Sequence, residues 1–553
     1  MSTDNFDAVI VGSGFGGSVM AYNLARAGMK VCLLERGNTY PPGSFPRSPD
    51  QMKNAFWQPE KGLLGLYDFW SFKDSDAITS SGLGGGSLIY ANVLLRKEPE
   101  WFEGWPITYE DLAPHYDNVE AVLKPLPYPY DKTPYDQTVK TGVLKDGAKT
   151  LGAPFELVPL AITFGNDSEN PVPGEQLNGV PNLHGVNRYG CRLCGECYLG
   201  CNFGSKNTLD LNYLTMAKDL GADIRILSEV TQLQPIDGGY VVTYRSHVSK
   251  SASENLIGIS AKYLVLAAGT LGSTSLLLNN KQWFGNLSPT LGTRLSGNGD
   301  LLTVAIGCKE KIDNQVQKRN IQPYLGPVIT GAARIDGGAK GHRFYIEDWT
   351  FTTTIIWLLE TLNASGPKMR WFKLFTNYIK SLFGVHRNMN LSATVSDFLG
   401  VADGCISSFP MVGMGVDESD GVMRYDEKSK VLNMEMPRKT SEKFFDDVRE
   451  KMKTISTSLD ADLFLDYPSW YLSKTITVHP LGGCPMGATW DSGVVDTHGE
   501  VYNYPNMFVC DGAVMPAAIG PNPSLTIAAF ADRSAGRVIE KWKHDLLAEQ
   551  ADG

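Results

Sequence analysis

The feature that most constrains this chain lies at its start, where a short β-branched run, a glycine turn, a helix-forming stretch and a second apolar run follow one another. Residues 7–11 predict a strand, residues 18–27 a helix stopped by Gly28, and residues 31–34 a second buried strand. Gly12, Gly14 and Gly17 spell G-x-G-x-x-G directly between strand and helix, and Glu35 stands at the tip of the second strand. Gly12 permits a tight turn, Gly14 lets the backbone approach a pyrophosphate, and Gly17 lets the helix pack on the sheet. The helix N-terminus then turns N–H groups and a positive dipole end toward phosphates. Glu35 can accept hydrogen bonds from a ribose diol while repelling a 2′-phosphate. In this context the triplet predicts a dinucleotide, without separating FAD from NAD.

At 553 residues the chain exceeds the size at which one core keeps growing, so two domains or more are expected. A net charge of −10 with no polybasic tail argues against nucleic acid as a partner. The first strand-like run begins at Phe6, leaving no room for a signal peptide, so a cytoplasmic location is expected. No stretch reaches the roughly 18 apolar residues that span a bilayer. Strand–helix alternation at both ends predicts an α/β fold: a Rossmann-type dinucleotide domain assembled from residues 1–130, 190–310 and 473–553. Residues 131–189 and 311–472, richer in Thr, Ile, Trp and Phe, would form a second, sheet-and-helix (α+β) substrate domain. The Pro- and Tyr-rich stretch 125–135 suits a connection or cover. Further expected elements are a helix over 205–220, strands over 223–227, 240–244 and 261–267, and a long final helix over 524–547. The strand ending at 267 runs into A-A-G-T, whose Ala268 and Gly269 join the candidate cofactor residues.

Three further regions carry a resemblance: SSGLGGGSLIYAN (80–92), CGECYLGCNFGSKNTLDLNYL (194–214), and VHPLGGCPMG (478–487) followed by VCDGAVMPAAIGPNPSLTIAAFADR (509–533). Together and in this order they resemble the glucose–methanol–choline (GMC) oxidoreductases, in their cholesterol-oxidase-like branch. The likeness covers both ends and the middle of the chain and is thin over 310–470. It implies FAD, with the 82–92 loop (Gly82, Gly86, Ser87, Asn92) running along the isoalloxazine. It also implies the backbone of Val230 at the adenine and Asp511 and Gly512 near the ribityl chain and pyrophosphate, with Asn522, Pro523 and Ser524 completing the set. Glycines carry no side chain that would keep a backbone away from a flat ring. Some members tether the flavin through a histidine in this loop. Here Tyr90, Ala91 and Asn92 stand there, so FAD is expected to be non-covalent.

Oxidising an alcohol requires loss of the hydroxyl proton and hydride transfer from the carbinol carbon to flavin N5. His479, framed by Pro480 and glycines, and Asn522, between Pro521 and Pro523, sit in rigid loops. The resemblance places them side by side over the flavin, His479 to hold the hydroxyl and Asn522 to donate to the same oxygen. It also offers Glu347, two residues after Tyr345, as a base for double-bond isomerisation. Asp348 competes for that place, and an exposed or salt-bridged carboxylate is the other reading. His498 reads as a turn residue.

Cys191, Cys194, Cys197 and Cys201 follow the C-x2-C-x2-C-x3-C spacing of bacterial ferredoxins, although Asn202 replaces the usual Pro. The favoured expectation is no metal here, with packed thiols or a local disulfide; an iron–sulfur cluster or zinc is the alternative. The apolar run 349–362 is too short to span a membrane. After it, residues 368–387 repeat Trp371, Leu374, Phe375, Tyr378 and Leu382 on one helical face between basic residues. This stripe reads either as core packing or as a surface-seeking helix that makes peripheral contact with a membrane. The expected function is FAD-dependent oxidation of a hydrophobic alcohol, sterol-like or long-chain, with electrons passed to O2 or another acceptor. Its rivals are isomerisation, elimination or decarboxylation on the same fold, and a non-catalytic FAD-bound partner subunit.

Overall fold

The computed structural model describes residues 4–248, 256–337, 341–350, 406–426, 428, 431–466 and 474–552. Strand β1 (Asn5–Val11), helix α1 (Phe15–Arg26) and strand β2 (Val31–Leu34) follow one another as expected. Ala8, Val9, Ile10, Cys32 and Leu33 are wholly buried, because parallel strands covered on both faces need apolar residues on both. The sheet continues through β3 (Asp223–Arg225), β4 (Ser228–Ile236), β5 (Gly239–Ser246) and β6 (Leu256–Leu266) in the order β3-β2-β1-β6-β5-β4. Helix α2 (Gly269–Asn279) leaves β6, and β7 (Met507–Val509) pairs in parallel with the end of β6. Strands β4, β5 and β6 form an antiparallel meander on an otherwise parallel sheet. Helix α3 (Ser524–Asp552) closes the chain and packs on α1.

The helix expected over 205–220 is shorter: a 3-10 turn at Leu209–Leu211 precedes a helix over Tyr213–Asp219. Polar groups before it are engaged elsewhere. Asn207 Nδ2 donates to the Leu123 carbonyl, and the Leu209 N–H donates to Ser87 Oγ. Such side-chain and backbone bonds compete with helix continuation. The strand expected over 223–227 stops at Arg225, with Leu227 in a left-handed turn (φ 53°). The 125–135 connection supplies core, since Tyr128 and Tyr135 are fully buried and meet Phe164 edge to face.

A second, antiparallel sheet has the order Leu463–Asp466, Leu301–Ile306, Phe409–Gly415, Arg343–Asp348, Gly331–Asp336, Phe155–Leu157. One face is covered by helices Val139–Leu151 and Glu442–Ser458, which bury Val143, Leu144, Val448 and Met452 against Phe344 and Ile346. Strand alternation therefore sends Tyr345 and Glu347 to the opposite face. Among the described residues no helix is long and apolar enough to cross a membrane. The basic stripe 368–387, and 349–362 beyond Thr350, lie outside the described residues.

Candidate active site

Glycine lets the first turn press against its neighbours. A Cβ on Gly12 (φ +98°) would stand 2.3 Å from the Ala267 carbonyl oxygen, and one on Gly17 would stand 2.0 Å from that of Gly12. Gly14 differs: a Cβ there meets nothing within 4 Å, so its backbone faces open space at the start of α1. No side chain caps α1 and no acid lies in its first turn, which leaves its leading N–H groups for an anion. Glu35 is buried at the tip of β2. The Ser13 N–H and hydroxyl donate to its Oε2 at 3.1 and 2.5 Å, and the Gly37 N–H donates to Oε1 at 2.8 Å. Burial pushes this carboxyl above its usual range, while those three bonds pull it back.

Ser13 Oγ also accepts from the Gly84 N–H at 3.0 Å, tying the 82–92 loop to the first turn. A Cβ on Gly85 would lie 2.6 Å from Gly14 Cα, whereas one on Gly86 meets nothing within 4 Å. At Gly82 a Cβ would press on the Leu88 and Tyr40 side chains. Ser87 works inside the loop, its hydroxyl donating to the Gly84 carbonyl at 2.7 Å. Asn92 is fully buried in a left-handed conformation (φ 73°), and neither amide atom finds a partner. Val230 sits where the β4–β5 register shifts, which releases backbone from the regular ladder.

Asp511, after β7, spends its carboxylate on the chain itself. Oδ2 accepts from the Gly269 N–H (2.9 Å) and Ser273 hydroxyl (2.5 Å), and Oδ1 from the Ala513 N–H (2.8 Å). It thereby fixes the Ala268–Gly269 turn beside Gly512, and burial lifts it to about 6. Gly269 (φ +78°) again faces open space. Pro523 and Ser524 open α3, the Pro523 carbonyl accepting from the Ile527 N–H.

The second constellation is built around one turn. His479 Nδ1 lies 2.8 Å from Asp300 Oδ1. A carboxylate only accepts, so the ring carries its proton on Nδ1 and Nε2 is left as an acceptor. Asp300 is itself fixed, its Oδ2 accepting from the Thr477 hydroxyl and the Val478 N–H, both at 3.0 Å. Two residues earlier, Asn298 (φ 56°) clamps the loop that carries Asn522. Its Nδ2 donates to the Gly520 and Pro521 carbonyls, and its Oδ1 accepts from the Ile519 and Gly520 N–H groups. One turn thus holds both loops.

Asn522 Nδ2 points to Glu347 Oε2 at 3.5 Å, while Asn522 Oδ1 and Glu347 Oε1 are buried without partners. Burial drives the Glu347 carboxyl well up; the Asn522 bond opposes this, and Asp348 and Asp300 add to it. Asp348 takes the other face. It pairs with buried Lys140 at 2.7 Å and accepts from the Thr330 and Gly331 N–H groups. The two acids are therefore not interchangeable. His498 lies in a turn, its N–H donating to Asp496 Oδ1.

Asp300 and Asn298 escape a sequence reading. The string S-G-N-G-D (296–300) signals a turn and nothing about which distant loops it will grip.

The GMC oxidoreductase N-terminal profile matches residues 6–281 and the GMC oxidoreductase C-terminal profile residues 418–531. A cholesterol oxidase of Mycobacterium tuberculosis is 28% identical over 99% of this chain and 93% of its own length. A long-chain-alcohol oxidase of Arabidopsis thaliana is 25% identical over 97% of this chain and 68% of its own. In fold, the chain is similar to pyridoxine 4-oxidase from Mesorbium loti, with TM-score 0.59, 16% identity and coverage of 96% and 98% of the two chains. With mixed α/β layers, a glycine turn leading α1 and matching profiles at both ends, the chain belongs to the GMC oxidoreductase family and is an oxidoreductase.

Proposed function

We propose that this chain holds FAD non-covalently and oxidises a lipophilic primary or secondary alcohol, sterol-like or long-chain, to the ketone or aldehyde. The observation that carries the reading is the single turn at 298–300 that grips His479 through Asp300 and the Asn522 loop through Asn298. The residues present fit the cofactor. Gly14, Gly86 and Gly269 face open space, α1 is uncapped, and the amide of Asn92 is buried without a partner. The loop offers no histidine for a covalent link. Gly12, Gly14, Gly17 and Glu35 would hold the dinucleotide half, with Val230 near the adenine. The 82–92 loop, Ala268, Gly269, Asp511 and Gly512 would hold the rest, up to Asn522, Pro523 and Ser524.

FAD supplies the acceptor for the two electrons that leave the carbinol carbon as hydride. His479 Nε2 takes the hydroxyl proton, and the Asp300 carboxylate on the opposite nitrogen stabilises the imidazolium so formed. Asn522 keeps an amide N–H for the same substrate oxygen, positioned by its bond to Glu347. Electrons then pass to O2 or another acceptor. Glu347 is the proposed base for moving a double bond in an unsaturated product, because a carboxylate in an apolar site is a stronger base.

Anaerobic addition of long-chain and sterol alcohols tests the reading: loss of the flavin's visible band is expected. Unchanged absorbance with every alcohol, but turnover of an unsaturated ketone, would instead favour isomerisation on the same fold. His479→Ala and Asn522→Ala are each expected to lower turnover by about 10²–10⁴-fold with FAD retained. A basic amphipathic stripe at 368–387 supports peripheral membrane contact. Co-sedimentation with liposomes should fall on its deletion, and equal pelleting of both forms counts against contact.

A further inference from the structure

We propose that Cys191, Cys194, Cys197 and Cys201 are the thiolate ligands of an iron–sulfur cluster seated against the 82–92 loop. The four line one cavity together with Arg47 and Lys206, and all are free thiols. Their C-x2-C-x2-C-x3-C spacing is that of bacterial ferredoxin ligands. A lone zinc needs four sulfurs about 2.3 Å from one point. A cluster carries its thiolates on outer corners, so its ligands surround a space instead of meeting at one atom.

The loop's shape suits an anion. Leu193, Gly195 and Gly200, set among the cysteines, all have left-handed backbones (φ 59°, 69° and 84°). Alternation into that region turns successive N–H groups to one side, the concavity found around phosphates and iron–sulfur sites. The loop is also pinned. Cys194 bridges to Gly326, and a Cβ on Gly195 would sit 2.4 Å from the Tyr324 carbonyl oxygen. Asn202 holds the far end where ferredoxins have proline, with its Oδ1 accepting from the Phe45 N–H and its Nδ2 donating to the Phe45 carbonyl.

Charge points the same way. Lys206 is 1% exposed, yet its ammonium donates only to the carbonyls of Leu88, Tyr90 and Cys197, and no described carboxylate forms an ion pair with it. A buried ammonium without a counter-anion is unfavourable, and cluster-bound thiolates would supply the missing negative charge. Arg47 also lies at the rim, donating to the Leu199 and Gly200 carbonyls, although its charge is paired with Glu196 at 2.8 Å. Leu88 and Tyr90 belong to the loop assigned to the isoalloxazine. On that reading of the flavin, the two electrons from one alcohol leave singly through the cluster to two equivalents of a one-electron acceptor such as ferricyanide. The protons go to solvent.

The full chain is purified anaerobically, then assayed for iron, acid-labile sulfide and FAD, with electron paramagnetic resonance before and after dithionite. A cluster signal with stoichiometric iron and sulfide is expected, lost in the C194S/C197S double variant while FAD content is unchanged. The proposal is overturned if wild-type protein holds no iron even after anaerobic reconstitution with ferrous iron and sulfide. Zinc in place of iron, or four thiols that all alkylate or pair as disulfides in the reconstituted protein, overturns it equally. A cluster found without FAD would uphold the proposal and sink the flavin reading, so the two failures are distinct.

Discussion

At the residue scale, one carboxylate decides which imidazole nitrogen meets the substrate. Asp300→Asn replaces an acceptor by an amide that can donate to Nδ1, favouring the wrong tautomer. Turnover is expected to fall by about 10²–10⁴-fold with flavin content unchanged, read from steady-state rates and absorbance. Glu347 and Asp348 show how a neighbouring pair is separated by strand alternation alone. Glu347 faces Asn522 and Asp348 faces Lys140. Glu347→Gln should leave alcohol oxidation within about tenfold while abolishing double-bond migration in an unsaturated steroid, seen by chromatography of the products. Migration that persists would remove Glu347 as the base.

At the scale of elements, the parts that read clearly in the sequence are those whose signal is local. β1, α1 and β2 announce themselves because the glycine triplet stands directly between strand and helix, and a Cβ on Gly17 would meet the Gly12 carbonyl oxygen within the same turn. Gly12→Ala, with its Cβ against the Ala267 carbonyl and a left-handed φ, should give protein that no longer retains flavin on gel filtration. The 205–220 segment misleads, since its helix-forming composition says nothing of Ser87 or Leu123, which take the Leu209 N–H and the Asn207 amide. The 297–300 turn is illegible for the same reason: its purpose lies in loops far along the chain. Asn298→Ala strips partners from two buried carbonyls and two N–H groups, at about 1–3 kcal/mol for a group left unsatisfied. A lowered Tm together with a lowered kcat is expected.

At the scale of the whole molecule, buried charge sets stability. Removing one partner of the Lys140–Asp348 pair, as in Lys140→Met, should destabilise the fold by about 3–5 kcal/mol in denaturant titration, with part restored in K140M/D348N. Asp417 acts through pH. Burial lifts its carboxyl to about 7, against the hydrogen bond from Ser296. The folded chain then holds this proton where the unfolded chain has released it, so its contribution to stability falls as pH rises from the ordinary carboxylate range through about 7. Asp417→Asn should flatten that slope, and a Tm–pH profile identical to wild type would refute the assignment. The first and last helices are joined as well, Asn23 Nδ2 donating to Asp532 Oδ1 at 2.9 Å, and Tyr116, from the helix Tyr109–Leu123, meets Thr526 at 2.9 Å. On the ribosome, the opening strand and helix must therefore wait for some 500 further residues of synthesis before their cover arrives. A half-built sheet has to stay sheltered throughout that interval, and a chain cut short ahead of Ser524 leaves α1 without its cover.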